Sequence, residues 1–308
     1  MPGTAIWPAI AAARAADAEA RVPFFITDGD RPRHAGSVAR RHLGALARWP
    51  EALAVDDQQV TLRLPAPERS AFFAQANRAL HAAGLIVGWR DETYPVPALD
   101  DGRLLATFER AAARFWGTLT FGAHCNGYVA DAHGRPTHLW IARRSFTKPT
   151  DPGLLDNLIG GGVPHGQSPL ECVLREGWEE AGLSPAQMAG LQPGRRLRVH
   201  RDVAEGLQRE EVSAYDLALP PGMQPVNQDG ELHSLALMPL HQALACAAAG
   251  EMTVDATLVT LDFALRRGLL PPADHPLLAA AAAPLWSGPS SLGHRTCVTL
   301  NRLCIQAK

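Results

Sequence analysis

The spacing of apolar residues changes character near residue 117. Before it, apolar positions recur mainly at helical spacing, which predicts helices over 1–22, 37–49, 68–83 and 104–115. Strand-like runs separate them at 24–26, in a hairpin over 55–64 and at 85–87. After residue 117, alternating apolar and polar positions predict strands over 118–130, 138–142, 195–202, 211–219 and 232–238. Two further helices are predicted over 240–249 and 255–265.

This order of elements predicts two domains. The second half runs from strands to a helix, then to more strands and a closing helix, which suits a mixed sheet covered by helices on two faces. At 308 residues the chain exceeds one ordinary domain. We predict a smaller α+β domain over 1–116, a mixed α/β domain over 117–254, and a helical tail over 255–308 that packs back on the body.

Composition narrows the classes of function. The formal net charge of −2 gives no basic field that would attract nucleic acid. The five cysteines form no C-x-x-C pair, which favours a reducing compartment over a disulfide framework. No run approaches the roughly 18 apolar residues of a membrane span, and the Ala-rich N-terminus lacks the basic start of a signal peptide. We expect a soluble, cytoplasmic protein without nucleic-acid or membrane partners.

A helix with clear start and stop signals is predicted within residues 160–183, whose sequence is GGGVPHGQSPLECVLREGWEEAGL. Ser168 suits the N-cap, and Glu171 three residues later completes a capping box. Gly182 suits the position just past the helix, where a positive φ is needed. Leu170, Leu174 and Trp178 lie four residues apart, and their spacing predicts a buried stripe.

Three carboxylates crowd one side of this helix. Glu176, Glu179 and Glu180 lie at i, i+3 and i+4, where like charges are mildly destabilising. Divalent cations between them would remove the repulsion, since Mg²⁺ and Mn²⁺ prefer oxygen ligands. A solvated acidic helix face is the alternative interpretation of the three glutamates alone. The glycine run before the helix and the basic Arg175 beside Glu176 favour the metal site.

The segment resembles the Nudix box, G-x5-E-x7-R-E-U-x-E-E-x-G-U, in which U is aliphatic. The matching positions are Gly161, Arg175, Glu176, Glu179, Glu180, Gly182 and Leu183. Two positions depart from the pattern: Gln167 replaces a glutamate and Gly177 replaces an aliphatic residue. The resemblance implies a Nudix α/β/α sandwich with a mixed sheet.

The resemblance also implies the roles of the box residues. Glu176, Glu179 and Glu180 would bind Mg²⁺ or Mn²⁺ with Gly161 beside them, and Arg175 would orient the glutamates. Glu179 could also accept a proton from the attacking water. Because Gln167 removes one carboxylate from the outer part of the site, we expect lower metal affinity or rate.

Further stretches resemble one subfamily, the Nudix hydrolases that occur alone or fused to thiamin pyrophosphokinase. They lie at 88–92, 109–112, 122–129, 140–145, 152–157, 215–217 and 229–232. Members remove the terminal phosphate from thiamine diphosphate analogues, notably oxidised forms. The resemblance implies a small-molecule diphosphate substrate of that class.

Other polar residues are candidates for the site. Glu231 is a candidate second catalytic carboxylate, with a turn acid that binds its own backbone as the alternative. Arg143 and Arg144 could bind phosphate, or solvate an edge strand. The remaining candidates for substrate binding are His124, Asn126, Asn157 and Trp89, and for each of them a structural role is the alternative.

Three functional hypotheses follow. The first is a hydrolase of thiamine diphosphate-like compounds, and the second is a hydrolase of another organic or nucleoside diphosphate. The third is a catalytically weak Nudix domain that binds a ligand as a sensor, which Gln167 favours and the retained glutamates oppose. Association as a homodimer stays open.

Overall fold

The fold is described from a computed structural model, which covers residues 6–148 and 150–287. Cys297 and Cys304 lie outside these ranges. The helices are α1 (Pro8–Ala12), α2 (Leu43–Leu46), α3 (Ala66–Ala82), α4 (Ala112–Trp116), α5 (Pro169–Ala181), α6 (Leu240–Ala249), α7 (Val254–Arg266) and α8 (Asp274–Ala282). The strands are β1 (Arg21–Asp28), β2 (Arg31–Ala39), β3 (Leu53–Val55), β4 (Val60–Leu62), β5 (Thr93–Pro97), β6 (Leu104–Glu109), β7 (Leu119–Ala130), β8 (Pro136–Arg144), β9 (Leu155–Asp156), β10 (Ile159–Gly162), β11 (Gln192–Val203), β12 (Gly206–Ala218), β13 (Leu232–Pro239) and β14 (Trp286–Ser287).

The N-terminal part has its own core. Four strands pair in the order β2-β1-β4-β3, and β5 and β6 form a separate antiparallel hairpin. Helix α3 packs over them, and its Phe73 meets Phe24, Phe108 and Trp116 in edge-on or tilted aromatic contacts. Such contacts add to the free energy gained by burying large rings. This is the α+β arrangement that the sequence predicts.

The second part is built on a mixed sheet with the strand order β13-β8-β7-β12-β11-β14. Strands β7 and β12 are parallel, while β10 pairs with β7 and β9 with β8 in antiparallel register. Helix α5 covers one face over a core that includes Cys172 and Val173. Helices α1, α6, α7 and α8 cover the other face. The predicted α/β/α sandwich with a mixed sheet is confirmed.

The strands and helices predicted after residue 117 are found close to their predicted limits. Helix α7 is buried along almost its whole length, so the segment after residue 254 supplies one layer of the core. The domain limits 1–116, 117–254 and 255–308 stay predictions.

The N-terminal part differs from several predictions. Residues 37–39 belong to β2, paired with β1, and only 43–46 form an α-helix within the predicted 37–49. Residues 104–109 form β6, paired with β5, and the helix is confined to α4. Leu and Ala are good helix formers, but helix preferences differ by only a few tenths of a kcal/mol per residue. Strand pairing and burial therefore decide the outcome here. Within 6–22 only α1 is an α-helix, and 85–87 is not a strand.

Close backbone contacts dock the two parts. A Cβ on Gly206, whose φ is 140°, would overlap the carbonyl of Arg114 within α4. The His165 amide donates to the Thr93 carbonyl at 2.8 Å, which ties the loop before α5 to the β5–β6 hairpin. The first contact places α4 beside the start of β12, and Tyr94 of the hairpin lies against Gly162 of β10. Within the described residues, no helix is both long and apolar enough to cross a membrane.

Candidate active site

Helix α5 begins and ends as its sequence predicts. The Glu171 amide donates to Ser168 Oγ at 3.2 Å, and the Ser168 amide donates to a Glu171 carboxylate oxygen at 2.7 Å. Gly182 follows the helix with φ 65°. The capping box and the C-terminal glycine are confirmed, and they fix which side chains face the sheet.

The predicted apolar stripe on this helix is wrong at two of its three residues. Leu170 and Trp178 are 47% and 55% exposed, whereas Glu180 is 5% exposed. Leu174 is partly buried and packs against the core, as predicted. Trp178 follows Glu176 by two positions, about 200° around a helix with 3.6 residues per turn. Because the helix turns Glu176 and Glu180 toward β10, Trp178 points to solvent. Gly177 lets Met188 and Ile159 approach the helix closely on the buried side.

Side chains of other elements pack directly on the backbone of the glycine run in β10, Gly160–Gly162, and leave no room for a Cβ there. A Cβ on Gly161 would overlap the Glu176 carboxylate, and one on Gly162 would overlap the Tyr94 hydroxyl. A Cβ on Gly160 would lie 2.8 Å from the His124 ring. The strand thus brings its bare backbone against three polar side chains, two from the sandwich and one from the N-terminal part.

Arg175 holds two of the three carboxylates. Its Nη1 donates to Glu179 at 2.6 Å and its Nη2 to Glu176 at 2.8 Å. Its Nε donates weakly to the side-chain amide oxygen of Gln167, Oε1, at 3.4 Å. Glu180 is held separately, since one of its oxygens accepts from the Gly160 amide at 2.7 Å. Arg175 therefore orients two of the glutamates, as the resemblance implies.

The inner carboxylates carry more negative charge than their surroundings neutralise. Burial raises the pKa of Glu176 to about 7, against the lowering effect of Arg175. Burial and the neighbouring Glu176 hold the pKa of Glu180 well above its usual range, although the Gly160 amide lowers it. Removing a carboxylate from water disfavours its charged form unless a cation is near. A proton or a metal ion must therefore accompany this pair.

The chemistry of these donors fits a divalent cation. Carboxylate oxygens are the ligands that Mg²⁺ and Mn²⁺ prefer, and Glu180 and the largely buried Glu176 lie against β10. In residues 6–148 and 150–287, no three acidic, histidine or cysteine side chains already surround one point. Glu176 and Glu179 are instead turned toward Arg175. The ligand set Glu176, Glu179, Glu180 and Gly161 stays a prediction.

A polar cavity lies against the glycine run, and we call it the glycine-strand cleft. Its lining includes Arg110, Arg114, His124, Arg144, Gly161 and Asp255. It shares β10 with the glutamates of α5, which contact the strand from the helix side. Basic and acidic groups both line the cleft, so it suits a ligand that carries phosphate together with a polar or cationic group.

Arg143 and Arg144 are engaged by the loop before β9. Arg144 donates to Asp156 at 3.0 Å and, through Nε and Nη2, to the Thr150 and Asp151 carbonyls. Arg143 Nη1 donates to the Gly153 carbonyl at 2.7 Å. Arg144 lines the glycine-strand cleft with its donors already in use. Phosphate binding by either arginine stays a prediction.

His124, Asn157 and Asn126 form a chain that runs inward from the cleft. His124 Nδ1 lies 3.0 Å from the Asn157 amide oxygen, and Asn157 Nδ2 donates to Asn126 at 3.0 Å. Asn126 and Asn157 are each 2% exposed and bond to α7 through Val259 and Thr260. Of the three, His124 lines the cleft, while the two amides join the sheet to α7.

Glu231 and Trp89 lie farther from β10. Glu231 pairs with Lys148 at 2.5 Å and with Arg90 at 3.9 Å. Burial opposes the ionisation of Glu231, but Lys148 and Arg90 outweigh it and lower the pKa below its usual range. Trp89 packs on the N-terminal core and donates to Asp91 at 2.8 Å. Roles in catalysis for Glu231 and in substrate binding for Trp89 stay predictions.

The sequence did not single out an acidic pair in the cleft. Gln208 Nε2 donates to Glu210 and to Asp255, each at 3.0 Å. The other oxygen of Asp255 is buried without a hydrogen-bond partner in the described residues. Burial and the Glu210 charge raise the pKa of Asp255 above its usual value. These residues come from β12 and the start of α7, which are distant along the chain, so only the folded sheet brings them together.

Comparisons with known proteins agree with this architecture. Residues 122–258 match the model of the NUDIX domain, and residues 9–120 match that of a domain of unknown function, DUF4743. A crystal structure of a Deinococcus radiodurans protein is similar with a TM-score of 0.42 and 22% identity, over 56% of this chain and 99% of that one.

Two Arabidopsis thaliana proteins are similar in sequence. Nudix hydrolase 20, chloroplastic, is 37% identical over 69% of this chain and 57% of its own length. Nudix hydrolase 24, chloroplastic, is 36% identical over 67% of this chain and 56% of its own length. This chain thus spans little more than half the length of these relatives. It contains a NUDIX domain at residues 122–258 and is homologous to proteins named Nudix hydrolases.

Proposed function

We propose that this protein is a Mg²⁺-dependent hydrolase that cleaves the diphosphate of thiamine diphosphate-like compounds, including oxidised forms, to the monophosphate. The observation that carries this proposal is the placement of Glu176 and Glu180 against the glycine run with too little positive charge beside them. Glu180 is buried, and the Glu176 side chain is 12% exposed. Within the NUDIX domain, this is where a cation would join the carboxylates to a bound diphosphate.

The metal ions would neutralise phosphate charge and make water a better nucleophile. Glu176 and Glu180 would hold them, because both carboxylates lie against β10 and are short of positive charge. Arg175 keeps Glu179 beside this pair, where Glu179 can ligate or accept a proton from the attacking water. The bare backbone of β10 lets the substrate approach the carboxylates closely.

The thiamine-like substrate class has two supports. The subfamily resemblance implies it, through stretches that surround the cleft at 109–112, 122–129 and 152–157. The acidic pair Glu210 and Asp255 adds a physical reason, since a cationic thiazolium ring is attracted to carboxylates in a site of low dielectric constant. A diphosphate substrate with an uncharged ring would leave Asp255 Oδ1 without a partner, at a cost in binding free energy.

The first experiment is a phosphate-release assay with Mg²⁺ on a panel of organic diphosphates. We expect thiamine diphosphate, and those oxidised analogues that keep the cationic thiazolium ring, to be preferred over nucleoside diphosphate sugars and nucleoside triphosphates, with Glu180→Gln as the blank. A thiamine diphosphate analogue with an uncharged ring is the matched control. The native protein should hydrolyse this control with a lower kcat/KM than thiamine diphosphate. In Asp255→Asn the kcat/KM values of the two substrates should lie closer together.

Two other outcomes would redirect the assignment. Hydrolysis of nucleotides alone would support the metal-dependent mechanism but reject thiamine diphosphate-like compounds as the substrate class. Tight binding without turnover would favour a ligand-binding sensor, for which Gln167 is the observation. In the structure Gln167 contacts Arg175 rather than Glu176 or Glu180, so its presence leaves the inner carboxylates intact.

A further inference from the structure

One wall of the glycine-strand cleft is made by the N-terminal part of the chain. Arg110 and Arg114 reach the cleft from the end of β6 and from α4, within the region of unknown function. Two stretches that had no assigned role, 88–92 and 109–112, fold together here. The Arg110 amide donates to the Glu92 carbonyl at 2.8 Å, and Glu109 accepts from the Arg90 amide at 2.9 Å.

Arg110 is held rigidly and keeps donors in reserve. Its Nη1 pairs with both Glu92 oxygens at 3.0 and 3.1 Å, and its guanidinium lies 5.4 Å from the centre of the Tyr94 ring. In the part of the chain that the structure describes, its Nε and Nη2 donate to no protein group, and a third of the side chain is exposed. In Arg144, by contrast, all three nitrogens are used by the protein.

The Tyr94 hydroxyl is a second, independent sign of a ligand. Tyr94 is 2% exposed, yet its hydroxyl has no hydrogen-bond partner among residues 6–148 and 150–287. It crosses Gly162, and a Cβ on that glycine would also lie 3.0 Å from Arg110 Nη2. Tyr94 lines a second cavity, which adjoins the glycine-strand cleft and shares Arg110 and Arg114 with it. A buried hydroxyl without a partner costs free energy that a ligand oxygen at this point would recover.

We propose that the N-terminal domain completes the active site by binding the phosphate end of the substrate, with Arg110 and Tyr94 as the contact residues at Gly162. The inference rests on the proposed function, because it assigns the anion to a diphosphate in the cleft. The planar guanidinium fork suits phosphate oxygens, to which it can donate two parallel hydrogen bonds. Arg114, paired with Glu205 at 3.2 Å, adds positive charge and anchors the domain to the β11–β12 turn.

Binding of methylenediphosphonate, a diphosphate that cannot be hydrolysed, tests this proposal. Calorimetry would be done on the full chain with Mg²⁺ for the native protein and for Arg110→Gln. Loss of a charged, two-point contact should weaken binding about tenfold to a hundredfold. Tyr94→Phe, which removes only the hydroxyl, should weaken it about fivefold.

Glu92→Gln is the matched control for the ion pair. It breaks the same contact as Arg110→Gln but leaves the guanidinium in place, so methylenediphosphonate should bind as tightly as before or more tightly. Arg103→Gln, which removes an exposed arginine paired with Asp28, should change nothing. If Arg110 serves only the fold, Arg110→Gln and Glu92→Gln will have the same effect on binding.

Three results would overturn the proposal: native affinity in Arg110→Gln, an equal loss of affinity in Arg110→Gln and Glu92→Gln, or a native protein that binds no methylenediphosphonate. Should Arg110→Gln fail to fold, the comparison of Tyr94→Phe with Glu92→Gln decides, since only the first should weaken binding. Hydrolysis is measured separately. If methylenediphosphonate binds through Arg110 but no diphosphate is hydrolysed, the proposed function is rejected while the anion-binding role of Arg110 is retained.

Discussion

Two clusters of carboxylates in the sandwich, one beneath α7 and one beneath α5, differ in how their charge is balanced. Beneath α7, Asp216 is fully buried and accepts two hydrogen bonds from Arg266, at 2.9 and 3.0 Å, while Arg266 Nε donates to Asp262 at 2.7 Å. Beneath α5, Glu176 shares Arg175 with Glu179, and Glu180 has only a backbone amide. Arginines face both acids of the first cluster, although Asp262 Oδ1, 3.7 Å from Arg195, has no hydrogen bond within the described residues. The second cluster has less positive charge beside it.

The difference separates a structural role from a chemical one. A buried cluster whose acids face arginines joins a sheet to a helix and needs no further cation. A buried carboxylate without a counter-charge is kept at a cost to folding, which a bound cation reverses. The same amide-for-acid substitution should therefore have opposite effects on stability in the two places.

Glu180→Gln should give the largest loss of activity. The amide keeps the hydrogen bond from Gly160 but removes the charge that would hold a cation, so kcat should fall about 10²–10³-fold. Because the native carboxylate is under-neutralised, the free energy of unfolding of the metal-free protein should not fall. Phosphate release and urea denaturation measure the two effects, and full activity would contradict the assignment.

Asp216→Asn should have the largest effect on stability. It leaves the partly buried Arg266, whose side chain is 21% exposed, with half of its counter-charge. Breaking such a pair costs about 3 kcal/mol. Urea denaturation at neutral pH measures this loss. Mg²⁺ affinity, measured by calorimetry on the folded variant, should stay unchanged. An equal loss of stability in Glu180→Gln would show that the two clusters do not differ as described.

The pH dependence of stability should reveal Glu176. Burial raises its folded pKa to about 7, so its ionisation opposes folding. The contribution of Glu176 to the stability of the metal-free protein should be most favourable below the unfolded pKa of about 4.3. It should fall by about 3 kcal/mol as the pH rises from there through 7. Glu176→Gln should flatten this slope in urea denaturation with EDTA, and an unchanged slope between pH 5 and 8 would contradict the expectation.

Gln167→Glu should have the smallest effect. The Gln167 oxygen lies 3.4 Å from Arg175 Nε, and the arginine side chain is one-third exposed. An added charge there is worth about 0.5 kcal/mol or less, so kcat/KM should rise no more than about threefold. A change from an inactive to an active protein would instead make residue 167 decisive and favour the sensor hypothesis.

The sequence predicts the second part of this molecule better than the first. Helix α5 is specified locally by Ser168, Glu171 and Gly182, and the strands after residue 117 alternate clearly. Residues 31–39 and 104–109 become strands because they pair with β1 and β5, which local propensity does not report. Tertiary pairing outweighs preferences of a few tenths of a kcal/mol per residue.

The candidate site divides in the same way. The spacing of Glu176, Glu179 and Glu180 predicts their common face, and the structure places Glu176 and Glu180 on β10 and Glu179 beside Arg175. Trp178 was assigned to the core because its spacing matches Leu170 and Leu174, but an acidic face turned inward reverses the expected polarity of the helix. Arg110 and Asp255 could not be joined to the cleft from sequence, since the elements that carry them meet only through the assembled sheet.

The parallel pairing of β7 and β12 has a consequence for how the protein folds. Leu119 lies opposite Arg209, so forming this pair closes a loop that contains β8, β9, β10, α5 and β11. Contacts between residues so far apart in sequence form slowly, because the entropy of closing the loop is lost before the contacts form. The glutamates of α5 lie inside the loop, while Asp255 and Arg110 lie outside it on either side. Competence to bind a diphosphate should therefore appear only with the last, slowest step of refolding.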